Sequence, residues 1–156
     1  MDDKAVYRKW FSITNDPRYL RPKRWAELRW VIENFDVKTV LEFGAGVSTL
    51  LFTSMGCKVD SYETSLEYAR MVNANCPGRP VTLWDNENLV VSKHYDLALV
   101  NGILPRTKQM DIALFHADIV AVDDFRGRIE SELIKKVMGC PRLDSQETLM
   151  AIFKIN

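Results

Sequence analysis

The chain has 156 residues, with 21 basic and 21 acidic side chains and no formal net charge at pH 7. Hydrophobic residues make up 47% and charged residues 27%, values ordinary for one globular domain with a single core. These numbers exclude a chain that is disordered throughout and a nucleic-acid binder that works through bulk positive charge. No apolar run approaches the ~18 residues of a membrane span. The charged start, MDDKAVYRKW, is not followed by an apolar stretch, so a cytoplasmic protein is expected. Cys57, Cys76 and Cys140 lie far apart without a C-x-x-C pair and read as reduced thiols.

Residues 1–21, with Tyr7, Trp10, Phe11 and Tyr19, read as an N-terminal arm that packs on or caps a domain of residues 22–156. Pro22 suits a first helical turn, and Trp25, Leu28, Val31, Ile32 and Phe35 recur at helical spacing, so 22–35 is predicted helical. Thr39 to Phe43 is a short buried strand that ends in glycines. Ser48 to Met55 is a helix stopped by Gly56, and Lys58 to Tyr62 alternates as a strand does. Thr64-x-x-Glu67 has the form of a capping box opening a helix to about Asn75. Cys76-Pro77-Gly78 ends that helix, and Val81 to Trp84 is a third strand. Tyr95 to Val100 is an apolar fourth strand, Thr107 to Phe115 a helix, and Asp118 to Val122 a fifth strand. Glu130 to Met138 is a helix, and 141–144 with 149–155 form a closing hairpin. Strand and helix in alternation imply a doubly wound, mostly parallel α/β sheet with helices on both faces. The short link between the last two strands makes them antiparallel neighbours.

Candidate chemistry collects at the carboxyl ends of these strands, where ligands of doubly wound sheets bind. Gly44 and Gly46 allow a sharp turn and close backbone approach, and the helix after them offers N–H groups to an anion. Glu63, 17 residues beyond Gly46 at the end of the second strand, can accept hydrogen bonds from ribose hydroxyls or favour the helix dipole. The NAD fingerprint asks for a third small residue where Thr49 stands. Glu42 beside phosphates would be repelled, whereas beside an ammonium it would be attracted. A ligand with an adenosine and an amino-acid head fits both acids better than a dinucleotide. Asn101 and Asp123-Asp124 end neighbouring strands and can converge. The two aspartates can equally cap the next helix and pair with Arg126 or Arg128.

Val40-Leu41-Glu42-Phe43-Gly44-Ala45-Gly46-Val47-Ser48-Thr49 resembles the first motif of the class I S-adenosylmethionine-dependent methyltransferases. The likeness extends over about residues 22–155. It takes in Glu63, Trp84-Asp85, Tyr95 to Gly102, Ala117 to Asp124 and the closing hairpin. The resemblance implies a Rossmann-like sheet of seven strands with S-adenosylmethionine as cofactor. By the same likeness, Glu42, Gly44, Gly46 and Ser48 hold the methionine part, Glu63 the ribose and Asp85 the adenine. Asn101, which also touches the cofactor, and Asp123 face the transferred methyl as the catalytic pair. Asn101, Asp123 and Asp124 also resemble the Mg²⁺ site of catechol-type O-methyltransferases, although that family commonly has Asp where Asn101 stands.

The expected function is methyl transfer to a small molecule, at oxygen, with nucleic acid and membrane absent as partners. The alternatives are a regulatory protein that binds S-adenosylmethionine without turnover, or another enzyme using the same cofactor. The arm, the 85–94 loop and the 101–107 loop are the pieces left for substrate choice, which favours a homo-oligomer or an open site. His94 and His116 precede strands and are expected away from the site. Arg18, Arg21, Lys23, Arg24 and Arg29 read as a solvated basic face.

Overall fold

The computed structural model describes residues 2–14, 19–76, 80–85, 88–102, 106–125, 135–145 and 149–156. Its sheet has six strands in the order β3-β2-β1-β4-β5-β6. They are β1 (Thr39–Phe43), β2 (Lys58–Glu63), β3 (Thr82–Leu83), β4 (Tyr95–Val100), β5 (Ala117–Val122) and β6 (Ala151–Lys154). The first five run parallel, and β6 pairs antiparallel with β5. The helices are α1 (Asp3–Ile13), α2 (Pro22–Asn34), α3 (Val47–Ser54), α4 (Leu66–Asn75) and α5 (Arg106–His116).

The seventh strand expected from the resemblance reduces to a single antiparallel bridge, Arg142 to Phe153. Leu143 N–H donates to Ile152 O and Lys154 N–H to Pro141 O, so the hairpin exists but its first arm is short. The third strand is also shorter than expected. Asn73 Oδ1 takes the Val81 N–H at 2.6 Å, which leaves two residues for the ladder with β2. The predicted helix at 130–138 falls largely outside the described residues.

The capping expectation needs correction. The helix N-cap is Ser65, whose hydroxyl accepts the Tyr68 N–H at 3.3 Å, and not Thr64. Thr64 instead donates its hydroxyl to Glu63, because that carboxylate turns toward the first turn of the helix.

Period-two alternation divides the core between the two sheet faces. Val40, Leu97, Leu99, Ile119 and Ala121 pack in one cluster, and Leu41, Ala98, Val100, Val120 and Val122 in the other. The arm is a helix. Asp2 caps α1, and Val6, Tyr7 and Trp10 bury a helical stripe in the first cluster. Trp25 Nε1 donates to Asp3 Oδ2 at 2.9 Å and Tyr7 OH to the Leu20 carbonyl at 2.9 Å, which ties α1 to α2. Burial pushes the Tyr7 phenol well above its ordinary range, so it stays protonated. Among the described residues, no helix is long and apolar enough to cross a membrane.

Candidate cofactor and active site

Hydrogen bonds continue past the strands and align their carboxyl ends. Trp84 N–H donates to Glu63 O, Gly44 N–H to Tyr62 O, Asn101 N–H to Phe43 O and Asp123 N–H to Val100 O, at 2.8 to 3.0 Å. Glu42, Gly44, Glu63, Asp85, Asn101 and Asp123 therefore share one edge of the sheet. The order reverses between β1 and β4, the switch point at which such sheets take ligands.

Glu42 is fully buried, in a strand position where alternation would put an apolar side chain. Its Oε2 accepts from Thr49 Oγ1 at 2.6 Å and from Ser61 Oγ at 2.5 Å. Burial raises the Glu42 carboxyl to about 7, and the hydroxyls of Ser48, Ser61 and Thr49 hold it back from rising further. Ser48 is itself buried at the start of α3. Among the described residues, Glu42 Oε1 has no hydrogen-bond partner, and neither have the buried indole nitrogens of Trp10 and Trp84 at the same edge.

The raised carboxyl has a sign that can be tested. Folding takes up a proton between the unfolded value of 4.5 and about 7, so this contribution is complete below the lower value and lost as pH rises through the upper one. The loss is roughly 2–3 kcal/mol of stability. Urea unfolding at pH 5 and pH 8 should show wild-type protein losing that much more than Glu42→Gln. Equal losses in the two proteins would remove this account of Glu42.

Gly44 sits at φ +90°, and a Cβ there would lie 2.7 Å from the Asn101 carbonyl oxygen. Gly46 is less crowded. Its nearest neighbour is the Trp10 ring at 3.8 Å, which places α1 against the turn. Glu63 is buried and accepts the Ser65 N–H at 2.7 Å through Oε1, so the helix-terminal role is realised by that oxygen. Asp85 is exposed and accepts the Asn88 N–H at 3.1 Å, beside the buried Trp84.

Asp123 is buried, and its Oδ1 receives Arg24 Nη1 at 2.7 Å. Asp124 receives Arg24 Nη2 at 3.5 Å. Arg106 Nη1 donates to the Asp123 carbonyl at 2.6 Å. Burial pushes the Asp123 carboxyl up, while the Arg24 guanidinium pulls it back. Among the described residues, Arg24 of α2 thus contacts both aspartates. Arg126 and Arg128 lie outside the described residues. His94 pairs with Asp118 at 2.8 Å and His116 with the Lys93 carbonyl at 2.9 Å, both at the far ends of the strands, as expected.

The fold matches solved structures of methyltransferases. A Staphylococcus aureus protein assigned as a caffeoyl-CoA O-methyltransferase superposes with TM-score 0.75 at 17% identity, over 99% of this chain and 93% of that one. The chain has the fold of the class I S-adenosylmethionine-dependent methyltransferases. A Bacillus cereus O-methyltransferase in complex with SAH matches at TM-score 0.67 and 12% identity, over 97% and 90% of the two chains. A Pyrococcus horikoshii protein assigned as an RNA methyltransferase matches at 0.64 and 17%, over 87% and 78%. No protein-family model and no curated protein matches the sequence.

On this methyltransferase fold the described residues do not fit the expected Mg²⁺ site. The Asp123 and Asp124 carboxylates are turned to a guanidinium, and a second guanidinium takes the Asp123 carbonyl. A divalent ion would meet two fixed positive charges at its own ligands. Among the described residues, no three His, Cys, Asp or Glu side chains come together as ligands. Sequence reasoning missed Arg24, Trp10, Thr49 and Ser61 as site residues. Ser61 did leave a signal, being a hydroxyl on the buried face of β2 between Val59 and Glu63. Arg24 left none, because its partner lies 99 residues away.

Proposed function

We propose that this protein is an S-adenosylmethionine-dependent methyltransferase that acts on a small molecule, with oxygen as acceptor. The observation that carries this reading is the buried Glu42 carboxylate beside the Gly44–Gly46 turn, with one oxygen lacking a partner among the described residues. A ligand ammonium supplies what that oxygen lacks, while a pyrophosphate would be repelled. In this reading Gly44, Gly46 and Ser48 surround the methionine part, with Trp10 closing over it. Glu63 holds the ribose hydroxyls, and Trp84 with Asp85 meets the adenine. SAH in the Bacillus cereus neighbour, the product left after methyl donation, supports the same choice of cofactor.

Methyl transfer breaks the sulfonium S–CH₃ bond as the acceptor–CH₃ bond forms, and leaves a neutral thioether. The enzyme contributes alignment and proximity, and an acceptor hydroxyl passes its proton to a base or to solvent. Asn101 and Asp123 stand at the ends of β4 and β5, where the acceptor is proposed to sit. The balanced charge favours a small acceptor over a nucleic-acid backbone. A cytoplasmic homo-oligomer, in which a second subunit completes the acceptor pocket, belongs to the same proposal. The second reading is binding without turnover, which the engagement of Asp123 by Arg24 favours.

Calorimetry with S-adenosylmethionine and with NAD tests the cofactor. Binding of the former in the micromolar range is expected, and tight NAD binding without it would overturn the reading. A mass-spectrometric screen for methylated acceptors then separates turnover from binding alone.

A further inference from the structure

Two arginines from opposite directions close on the corner after β5. Arg24 reaches it from the first turn of α2 and takes both carboxylates, while Arg106 reaches it from the start of α5 and takes main-chain oxygens. The Arg24 and Asp123 side chains are 14% and 4% exposed, so the pair is largely withdrawn from water. Asp124 holds φ +53°, a left-handed conformation that brings its carboxylate onto the same guanidinium. Oxygen atoms of this kind are what a divalent cation requires, and here one oxygen of each carboxylate and both main-chain oxygens already face a guanidinium.

We propose that the Arg24 guanidinium stands in place of a divalent cation at this corner, making the site independent of metal and blocking metal entry. The inference concerns cation binding and holds whether or not the protein transfers methyl groups. It also deepens the proposed function, since any turnover then proceeds undiminished in the presence of a chelator. Lys could not replace Arg24 fully, because only the planar fork reaches Asp123 and Asp124 together.

The test is Mn²⁺ binding followed by electron paramagnetic resonance on the intact chain. Wild-type protein should show no saturable binding up to about 1 mM, the weak end of protein cation sites. Arg24→Met should gain a saturable site at least tenfold tighter than any wild-type binding, and adding Asp123→Asn should remove it. If Arg24→Met does not fold, Arg24→Gln, which keeps a donor toward Asp123, takes its place with the same expected gain. Saturable binding to the wild-type protein that Asp123→Asn abolishes would overturn the proposal. So would a folded Arg24 variant that binds no better than wild type. Failure of S-adenosylmethionine to bind would count against the proposed function and leave this result standing.

Discussion

Glu63→Ala is expected to weaken S-adenosylmethionine binding by about 10²-fold, measured by calorimetry. A buried carboxylate that accepts two ribose hydroxyls makes charge-assisted hydrogen bonds, each worth about 1.5–3 kcal/mol. Even the lower figure, counted twice, corresponds to about two powers of ten in affinity. The same carboxylate holds the Ser65 N–H at 2.7 Å, so the alanine variant also loses a helix-terminal contact. That costs about 1 kcal/mol of stability. Glu63→Gln separates the two effects. Its side-chain oxygen can still take the Ser65 N–H, so its melting temperature should stay near wild type while affinity falls at least tenfold. Unchanged affinity in both variants would leave Glu63 as a helix-terminal residue and nothing more.

Gly44→Ala should be the most damaging glycine-to-alanine substitution among the described residues. The added methyl would meet the Asn101 carbonyl oxygen at 2.7 Å, its carbon at 2.8 Å and the Gly102 nitrogen at 2.9 Å, all backbone atoms. They cannot retreat easily, because Asn101 N–H is bonded to Phe43 O and continues the β1–β4 pairing. The φ of +90° adds about 1–2 kcal/mol for any residue with a Cβ, and the clash about 1–3 kcal/mol more. A melting temperature lower by roughly 5–15 °C follows. Gly46→Ala is the control. Its methyl would find the Trp10 ring at an ordinary 3.8 Å, and melting should change by no more than about 2 °C. Equal stability of the two variants would show that the close approach of β1 and β4 at Gly44 is not what requires glycine.

These two residues also mark how far sequence reasoning reached. Gly44 and Glu63 were legible because each stands at the end of a strand with its own pattern, apolar before Gly44 and alternating before Glu63, and a strand end followed by a helix is a local pattern. Glu42 was legible for the same reason, as a charge inside an apolar run. Its chemistry was not, since the hydroxyls of Ser61 and Thr49 reach it from β2 and α3 and set what the carboxylate can do. The arm carried its own signal in the spacing of Val6, Tyr7 and Trp10. Aromatic density and the prolines that follow it masked that helical stripe.

The amino-acid order alone determined the alternation of strands and helices and the parallel sheet. It also determined the placing of Glu42, Gly44, Glu63, Asn101 and Asp123 at one edge. Period-two and helical patterns with glycine stops are properties of neighbouring residues, and parallel pairing sends every strand end the same way. Only the tertiary structure decided that Arg24, read as one charge on a solvated face, is largely buried against Asp123, at the corner where a metal was expected. It also decided that Trp10 lies over the Gly46 turn and that the seventh strand shrinks to one bridge. Each of these depends on groups far apart in the chain meeting at a packed corner. Desolvation there makes a charge pair strong and an unpaired charge costly, and no local pattern encodes which partner arrives.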